Sequence, residues 1–311
     1  MPEDCFGRNA GSSLVFVSVW SYNESRPKKD GKPAGRKKGM IIAMRIVILM
    51  EDTCGNPLCE YEHGLSVYIE TDRHNILMDT GASDRTLANA EKLGIDLSRV
   101  DTVVLSHGHY DHAGGLPAFG KVNRKAAIYA QKTAFGGYFH GERYIGVDQE
   151  IASLPGIEML EGDRKIDEEL SLFTGITGRR YWPQSNLGLS EIVEGQKIQD
   201  EFRHEQCLVI QGEKNLLLSG CAHNGILNIL DSYEERYNGL PDIVISGFHM
   251  MKKTDYTEQE ETIIRQTAEE LAGKDILYYT GHCTGQKALE IMRPVLKEKL
   301  IPIHCGMEIF V

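Results

Sequence analysis

The sequence predicts an α/β chain (α+β by some schemes) folded as a four-layer αβ/βα sandwich. Three observations lead there. From Met44 onward, short apolar runs of strand length alternate with segments of helical spacing. The strand-rich stretches fall into two groups, one before residue 131 and one after residue 205. In both groups apolar runs break off into glycine and histidine. Two strand-rich halves with helices outside put two sheets back to back, and any site then belongs at the strand ends, in the cleft between the halves.

The elements follow in order. Arg45–Met50 reads as a strand, and Leu65–Glu70 with Asn75–Met78 as a hairpin turned by Thr71-Asp72-Arg73-His74. Ser83–Leu93 carries Leu87, Ala90 and Leu93 at helical spacing and stops at Gly94. Val100–Leu105 and Ala127–Ala130 are further strands, while residues 131–200, rich in glycine, aromatics and charge, read as loops and short strands over a site. The second half opens with a hairpin, Cys207–Ile210 and Asn215–Leu218 about Gly212. Then come a helix over Ile226–Tyr237, a strand at Asp242–Ser246, a helix over Thr257–Ala272 closed by Gly273, and a strand at Asp275–Tyr279. Helix over most of Gln286–Leu300 and a short strand at Ile301–His304 complete it. Residues 44–311 are read as one domain. Residues 1–43 carry eight Lys/Arg against four acids, with the apolar stretch Leu14–Trp20 before most of the basic residues, the reverse of a secretory signal. They read as a disordered basic extension or a mis-assigned start.

A net charge of −11 argues against nucleic acid and anionic membrane as general partners. No run approaches the roughly 18–20 apolar residues that cross a bilayer. The seven cysteines are odd in number and contain no Cys-x-x-Cys pair, which speaks for a reducing, cytoplasmic setting and against a disulfide framework. Cys54 and Cys59 read as ordinary thiols. Self-association is left open.

The chemistry concentrates in Ser106-His107-Gly108-His109-Tyr110-Asp111-His112-Ala113-Gly114-Gly115. Residues two apart on an extended chain point the same way, so His107 and His109 can reach one ion. Asp111 and His112 follow as the chain turns and can face a second. Imidazole nitrogen and carboxylate oxygen are ligands for zinc, iron(II) and manganese(II). His223, after Leu217-Leu218-Ser219-Gly220, is the expected third imidazole on the first ion. His282, after Tyr278-Tyr279-Thr280-Gly281, completes the second with Asp111 and His112. His249 competes for that place or lines the pocket as an acid/base group. Cys221 either bridges the ions or packs as a small apolar residue. Asp79, at a strand end, orients a ligand imidazole from behind. His204 is a weaker ligand candidate; His74, His140 and His304 read as structural or surface residues. His63 and the group Arg179, Arg180 and Trp182 are candidate substrate contacts, the latter holding a phosphate and stacking a flat ring. Dinucleotide, phosphate-loop and serine-elbow motifs do not occur.

On Asp79 in Met-Asp-Thr-Gly, the His107/His109/Asp111/His112 cluster and the later strand-end histidines, the chain resembles the metallo-β-lactamase superfamily. The strings Glu62-His63-Gly64-Leu65-Ser66, Gly220-Cys221-Ala222-His223-Asn224-Gly225, Gly247-Phe248-His249 and Gly281-His282-Cys283-Thr284-Gly285 resemble a dihydropterin–ribofuranosylaminobenzene-phosphate synthase-like branch. The resemblance implies the sandwich of that superfamily and one or two divalent ions, zinc first, with iron or manganese as alternatives. Many members carry a metal-bridging aspartate where Cys221 stands here, which puts the geometry of a second ion in question.

The implied activity is hydrolysis of a small anionic substrate, phosphorylated or pterin-like, by water that the ion makes reactive, with Asp111 or a nearby imidazole accepting the proton. One alternative is the synthase-type transfer with a pyrophosphate leaving group. Another is a non-catalytic metal or ligand sensor on the same fold. A di-iron oxygen or nitric oxide reductase ranks last, because such sites often place an acid where His109 stands.

Overall fold

Alternation along single strands decides the layers. In β1 (Arg45–Met50), Ile46 and Ile48 face one way and Val47 and Leu49 the other, all buried. A strand that is apolar on both faces must be covered on both. The computed structural model describes residues 44–311; the expectation for residues 1–43 lies outside them.

The first half continues with β2 (Ser66–Glu70), β3 (Asn75–Met78), α1 (Arg85–Lys92), β4 (Thr102–Val104), α2 (Tyr110–Ala113), α3 (Leu116–Val122) and β5 (Ala127–Gln131). The middle supplies β6 (Tyr138–His140), β7 (Arg143–Tyr144), β8 (Ile157–Leu160), β9 (Arg164–Lys165), β10 (Leu170–Phe173), β11 (Leu189–Val193) and β12 (Gln196–Gln199). The second half runs β13 (Cys207–Ile210), β14 (Leu216–Leu218), α4 (Ile226–Tyr237), β15 (Ile243–Ile245), α5 (Glu258–Ala272), β16 (Leu277–Thr280), α6 (Gln286–Leu296), β17 (Leu300–Pro302) and β18 (Glu308–Phe310).

Two seven-stranded sheets result, ordered β18-β1-β2-β3-β4-β5-β8 and β17-β16-β15-β14-β13-β10-β9. In each, a block of four neighbours is parallel: β3-β4-β5-β8 and β14-β15-β16-β17. Ile46, Ile48, Ile76 and Val104 of the first sheet meet Leu208, Ile210, Leu218 and Ile245 of the second in a core between the sheets. The opposite face of the first sheet packs Leu49, Leu77 and Val103 on Ala90, Leu116 and Phe119 of its helices. The opposite face of the second packs Val209, Leu217 and Tyr278 on Leu230, Ala268 and Met292. The order is helix, sheet, sheet, helix: the αβ/βα sandwich of the metallo-β-lactamase type.

Some elements differ from the sequence reading. The last helix ends at Leu296, and its continuation toward Leu300 is a tight turn. β18 was not anticipated; its three residues carry a weak signal, and it stands because it pairs with β1 at the sheet edge. The stretch 131–200 holds seven strands, four of them in a third sheet, β12-β11-β6-β7, built from two hairpins.

Candidate metal centre

The candidate residues sit where chains leave the parallel strands, at one rim of both sheets. Four of these exits pass through a non-glycine residue in the left-handed region: Asp79 (φ 58°) after β3, Ala222 (φ 50°) after β14, His249 (φ 47°) after β15 and His282 (φ 48°) after β16. Each such conformation costs on the order of 1 kcal/mol, and such residues cluster at functional sites. They turn the chain sharply, so that side chains just past each strand lean over the strand ends. Gly220 permits the closest approach: a Cβ there would lie 2.2 Å from the Ser106 hydroxyl.

The hydrogen bonds settle which nitrogen of each ring is committed. His107 Nδ1 meets Ser106 Oγ at 2.8 Å, and that hydroxyl donates to Asp79 Oδ2 at 2.6 Å. His112 Nδ1 meets the same Asp79 oxygen at 2.7 Å. His223 Nδ1 meets Asn186 Oδ1 at 3.1 Å, while the Asn186 amide nitrogen donates to the His223 carbonyl at 2.7 Å. His282 Nδ1 meets Asp52 Oδ1 at 2.6 Å. In all four rings Nδ1–H donates outward, leaving Nε2 turned toward the cleft.

Those Nε2 atoms converge. His107 Nε2 and His223 Nε2 stand 3.3 Å apart, and the ligand atoms of His107, His109 and His223 all lie within 4.8 Å of one another. Burial pushes His107 and His223 well below the ordinary histidine range, and His109 down to about 3. Two neutral rings therefore aim lone pairs at each other, which calls for a cation between them. Ligands about 2.1 Å from a tetrahedral zinc stand roughly 3.4 Å apart.

A second convergence adjoins it. Asp111 Oδ2 lies 3.9 Å from His112 Nε2 and 3.6 Å from His282 Nε2. Cys221 Sγ is 3.2 Å from His112 Nε2. Two atoms in these clusters, His109 Nε2 and His282 Nε2, are buried without a hydrogen-bond partner. Orphaned imidazole nitrogens beside a carboxylate and a thiol fit a divalent ion. Burial pushes the Cys221 thiol well up, so its sulfur would have to lose that proton to solvent to hold an ion. Burial acts against charge on Asp111, yet His282 and His63 hold its carboxyl well below the usual range. Burial likewise opposes charge on His282, and Asp111 and Asp52 carry it well above. His63, on the loop before β2, is raised to about 9 by Asp111 and Asp52. This corner demands positive charge.

The other candidates divide. His249 sits with its ring 4.0 Å from that of His223 and its Nδ1 2.8 Å from Ser185 Oγ, beside the first cluster rather than between Asp111 and His112. Burial depresses it to about 3. His204 accepts from the Gly108 N–H at 2.9 Å through Nδ1 and faces Asp200 Oδ2 at 3.2 Å through Nε2. Both nitrogens are used, and the ring holds the backbone between His107 and His109. Arg179 binds Glu201 and lies over the Trp182 ring. Trp182 neighbours Phe202, which stacks flat on His223 at 4.4 Å. Arg180 is turned onto Asp231 and Glu270, on α4 and α5.

Asp52, Ser106, Asn186 and Ser185 were not singled out from sequence. Asp52 carried a usable signal, an acid just past the apolar run of β1, as Asp79 is past β3. Asn186 and Ser185 lie in a turn without pattern.

A family profile described as the metallo-beta-lactamase superfamily matches residues 61–178. An uncharacterized protein of Methanocaldococcus jannaschii is 31% identical over 235 residues, 73% of this chain and 86% of the relative. From the same organism, 7,8-dihydropterin-6-methyl-4-(beta-D-ribofuranosyl)-aminobenzene-5'-phosphate synthase is 28% identical over 300 residues, 86% of this chain and 97% of the synthase. The crystal structure of Tm1679, described as a metal-dependent hydrolase of the beta-lactamase superfamily, superposes with a TM-score of 0.73 at 32% identity. It covers 86% of this chain and 99% of that one.

Proposed function

Since the chain belongs to the metallo-β-lactamase superfamily, we propose that it is a hydrolase with two adjacent divalent ions, zinc first, acting on a small anionic substrate such as a phosphate ester. One observation carries the reading: His107 and His223 aim unprotonated Nε2 atoms at each other across 3.3 Å, each with Nδ1 committed elsewhere. His107, His109 and His223 would hold one ion, and Asp111, His112, His282 and Cys221 the other. The bound ions would supply Lewis acidity, polarising the substrate oxygen and making water reactive near neutral pH.

The chain's own residues do the rest. Asp79 keeps His112 and, through Ser106, His107 in the ligating tautomer. Asp111, kept ionised beside His282 and His63, would accept the proton of the attacking water on its carboxylate. His249, fixed by Ser185, presents Nε2 to the substrate. Phe202 and Trp182 close the back of the first cluster against water. The carboxylates around His63 draw positive charge, so an anionic substrate would be attracted to the mouth only by the bound ions, which reverse that field. Among the described residues no helix is long and apolar enough to cross a membrane.

A second reading has one observation in its favour, the match along 97% of a synthase. There the same ions would neutralise a pyrophosphate leaving group. The test is elemental analysis of protein purified without chelator, followed by turnover of bis-p-nitrophenyl phosphate. Expected are about two metal equivalents and turnover that His107→Ala and His223→Ala abolish. Release of pyrophosphate from an activated dihydropterin, with no ester cleavage, would move the assignment to the synthase. Metal uptake with neither activity would leave a sensor. Protein that takes up no zinc, iron or manganese would overturn all three.

A further inference from the structure

One carboxylate orients two imidazoles in the same sense. Asp52 receives His282 Nδ1 on Oδ1 at 2.6 Å and His63 Nδ1 on Oδ2 at 2.8 Å. The two rings lie 4.7 Å apart. Each ring then turns Nε2 to the same atom: Asp111 Oδ2 is 3.3 Å from His63 and 3.6 Å from His282. His112 Nε2 adds a third nitrogen at 3.9 Å. Three imidazole nitrogens thus ring one carboxylate oxygen at separations close to the roughly 3.4 Å that ligands of a common tetrahedral ion keep. The buried, unpartnered Nε2 of His282 marks the point on which they close.

The backbone is built to bring His63 there. Leu65 donates its N–H to the Asp111 carbonyl at 3.2 Å, and a Cβ on Gly64 would come within 2.8 Å of that same oxygen. The loop before β2 is therefore docked on the turn that carries Asp111, which is more than a surface imidazole needs.

We propose that His63 is a direct ligand of the second ion, joining Asp111, His112, His282 and Cys221 as a fifth donor, with Asp52 as the shared positioning residue for the two loop imidazoles. The inference rests on the two-ion reading above. Because the His63 side chain is 44% exposed while that of His282 is 0%, His63 is the ligand nearest solvent and the one an incoming anion can displace.

The test is a titration of metal-depleted protein with zinc, followed calorimetrically, and with cobalt(II), followed by visible absorption. Wild type is expected to take two ions. In His63→Ala the first is expected to bind as before, the second to weaken at least tenfold, and the cobalt bands of the second ion to shift. His63→Glu, which returns an oxygen ligand, is expected to restore much of that affinity; a residue that only makes hydrogen bonds would not be rescued so. Unchanged affinities and bands in His63→Ala would overturn the inference and leave the two-ion reading standing. Equal weakening of both ions would assign His63 a structural role and also overturn it. Wild-type protein that binds neither metal would overturn both readings. Unchanged near-ultraviolet circular dichroism of the variants checks the fold.

Discussion

Proton placement on a handful of rings decides what this site can hold. Asp79 commands two of them, since its Oδ2 receives both His112 Nδ1 and the Ser106 hydroxyl that fixes His107. Asp79→Asn keeps the shape but puts an amide where that double acceptor stands, and metal affinity is expected to fall by about 10–100-fold. A chelator-competition titration measures it, and unchanged affinity would show that the tautomers are set elsewhere. The imidazoles were legible in the sequence from local pattern: His107, His109 and His112 crowd together just after an apolar run, and His223, His249 and His282 each follow an apolar run that breaks at glycine. Asp52, Ser106 and Asn186 were not, because only the packing of separate strand ends gives each its partner. Arg180 illustrates the reverse: a basic–aromatic string invites a phosphate, yet the guanidinium already spans Asp231 and Glu270 on two helices.

Polar contacts tie elements across the sandwich, and one of them reads the pH. The turn between β2 and β3 offers His74, whose Nε2 meets Asp167 Oδ2 at 2.9 Å in the turn between β9 and β10. Arg73 adds a second contact to the same oxygen at 2.9 Å. Burial would raise the Asp167 carboxyl, but His74 and two backbone N–H groups outweigh it and hold it at about 2, against an ordinary 3.8. A depressed acid stabilises the fold above its ordinary value and loses that contribution as the pH falls through the folded one. The carboxyl's share is therefore expected to be whole above about pH 4 and to fade toward pH 2, while the share of His74, which burial would lower but Asp101 and Asp167 raise, is lost as the pH climbs through that raised value. Asp167→Asn should cost on the order of 1–2 kcal/mol at neutral pH and flatten the acid limb of stability between pH 4 and 2; denaturant melts at several pH values decide it. Most strands of the two main sheets could be read from apolar runs, but their order was not, and β8, β9, β10 and β18 were not placed. The third sheet could not be read, because its two hairpins meet across a long stretch of chain and carry mixed polarity.

On the scale of the molecule, the proposed ligands come from both halves: His107, His109, Asp111 and His112 from the first, His223 and His282 from the second. An ion held by both clamps the sandwich shut. Zinc at a hundred times its dissociation constant is expected to add about 2.7 kcal/mol to unfolding, seen as a midpoint that climbs with added zinc and drops with chelator. A midpoint indifferent to zinc would mean that the halves do not share it. The small sheet beside the site has its own bearing on this. Its β6–β7 hairpin is spliced between two strands of the first main sheet, β5 and β8, and its β11–β12 hairpin between two of the second, β10 and β13. The join between them, Leu189 to Glu191 against Tyr138 to His140, is a handshake that neither partner can complete alone. Such a join is assembled late and released early, so amide protons along it should exchange with solvent ahead of those in either main sheet, loosening the entrance to the cleft while the body of the protein stays intact.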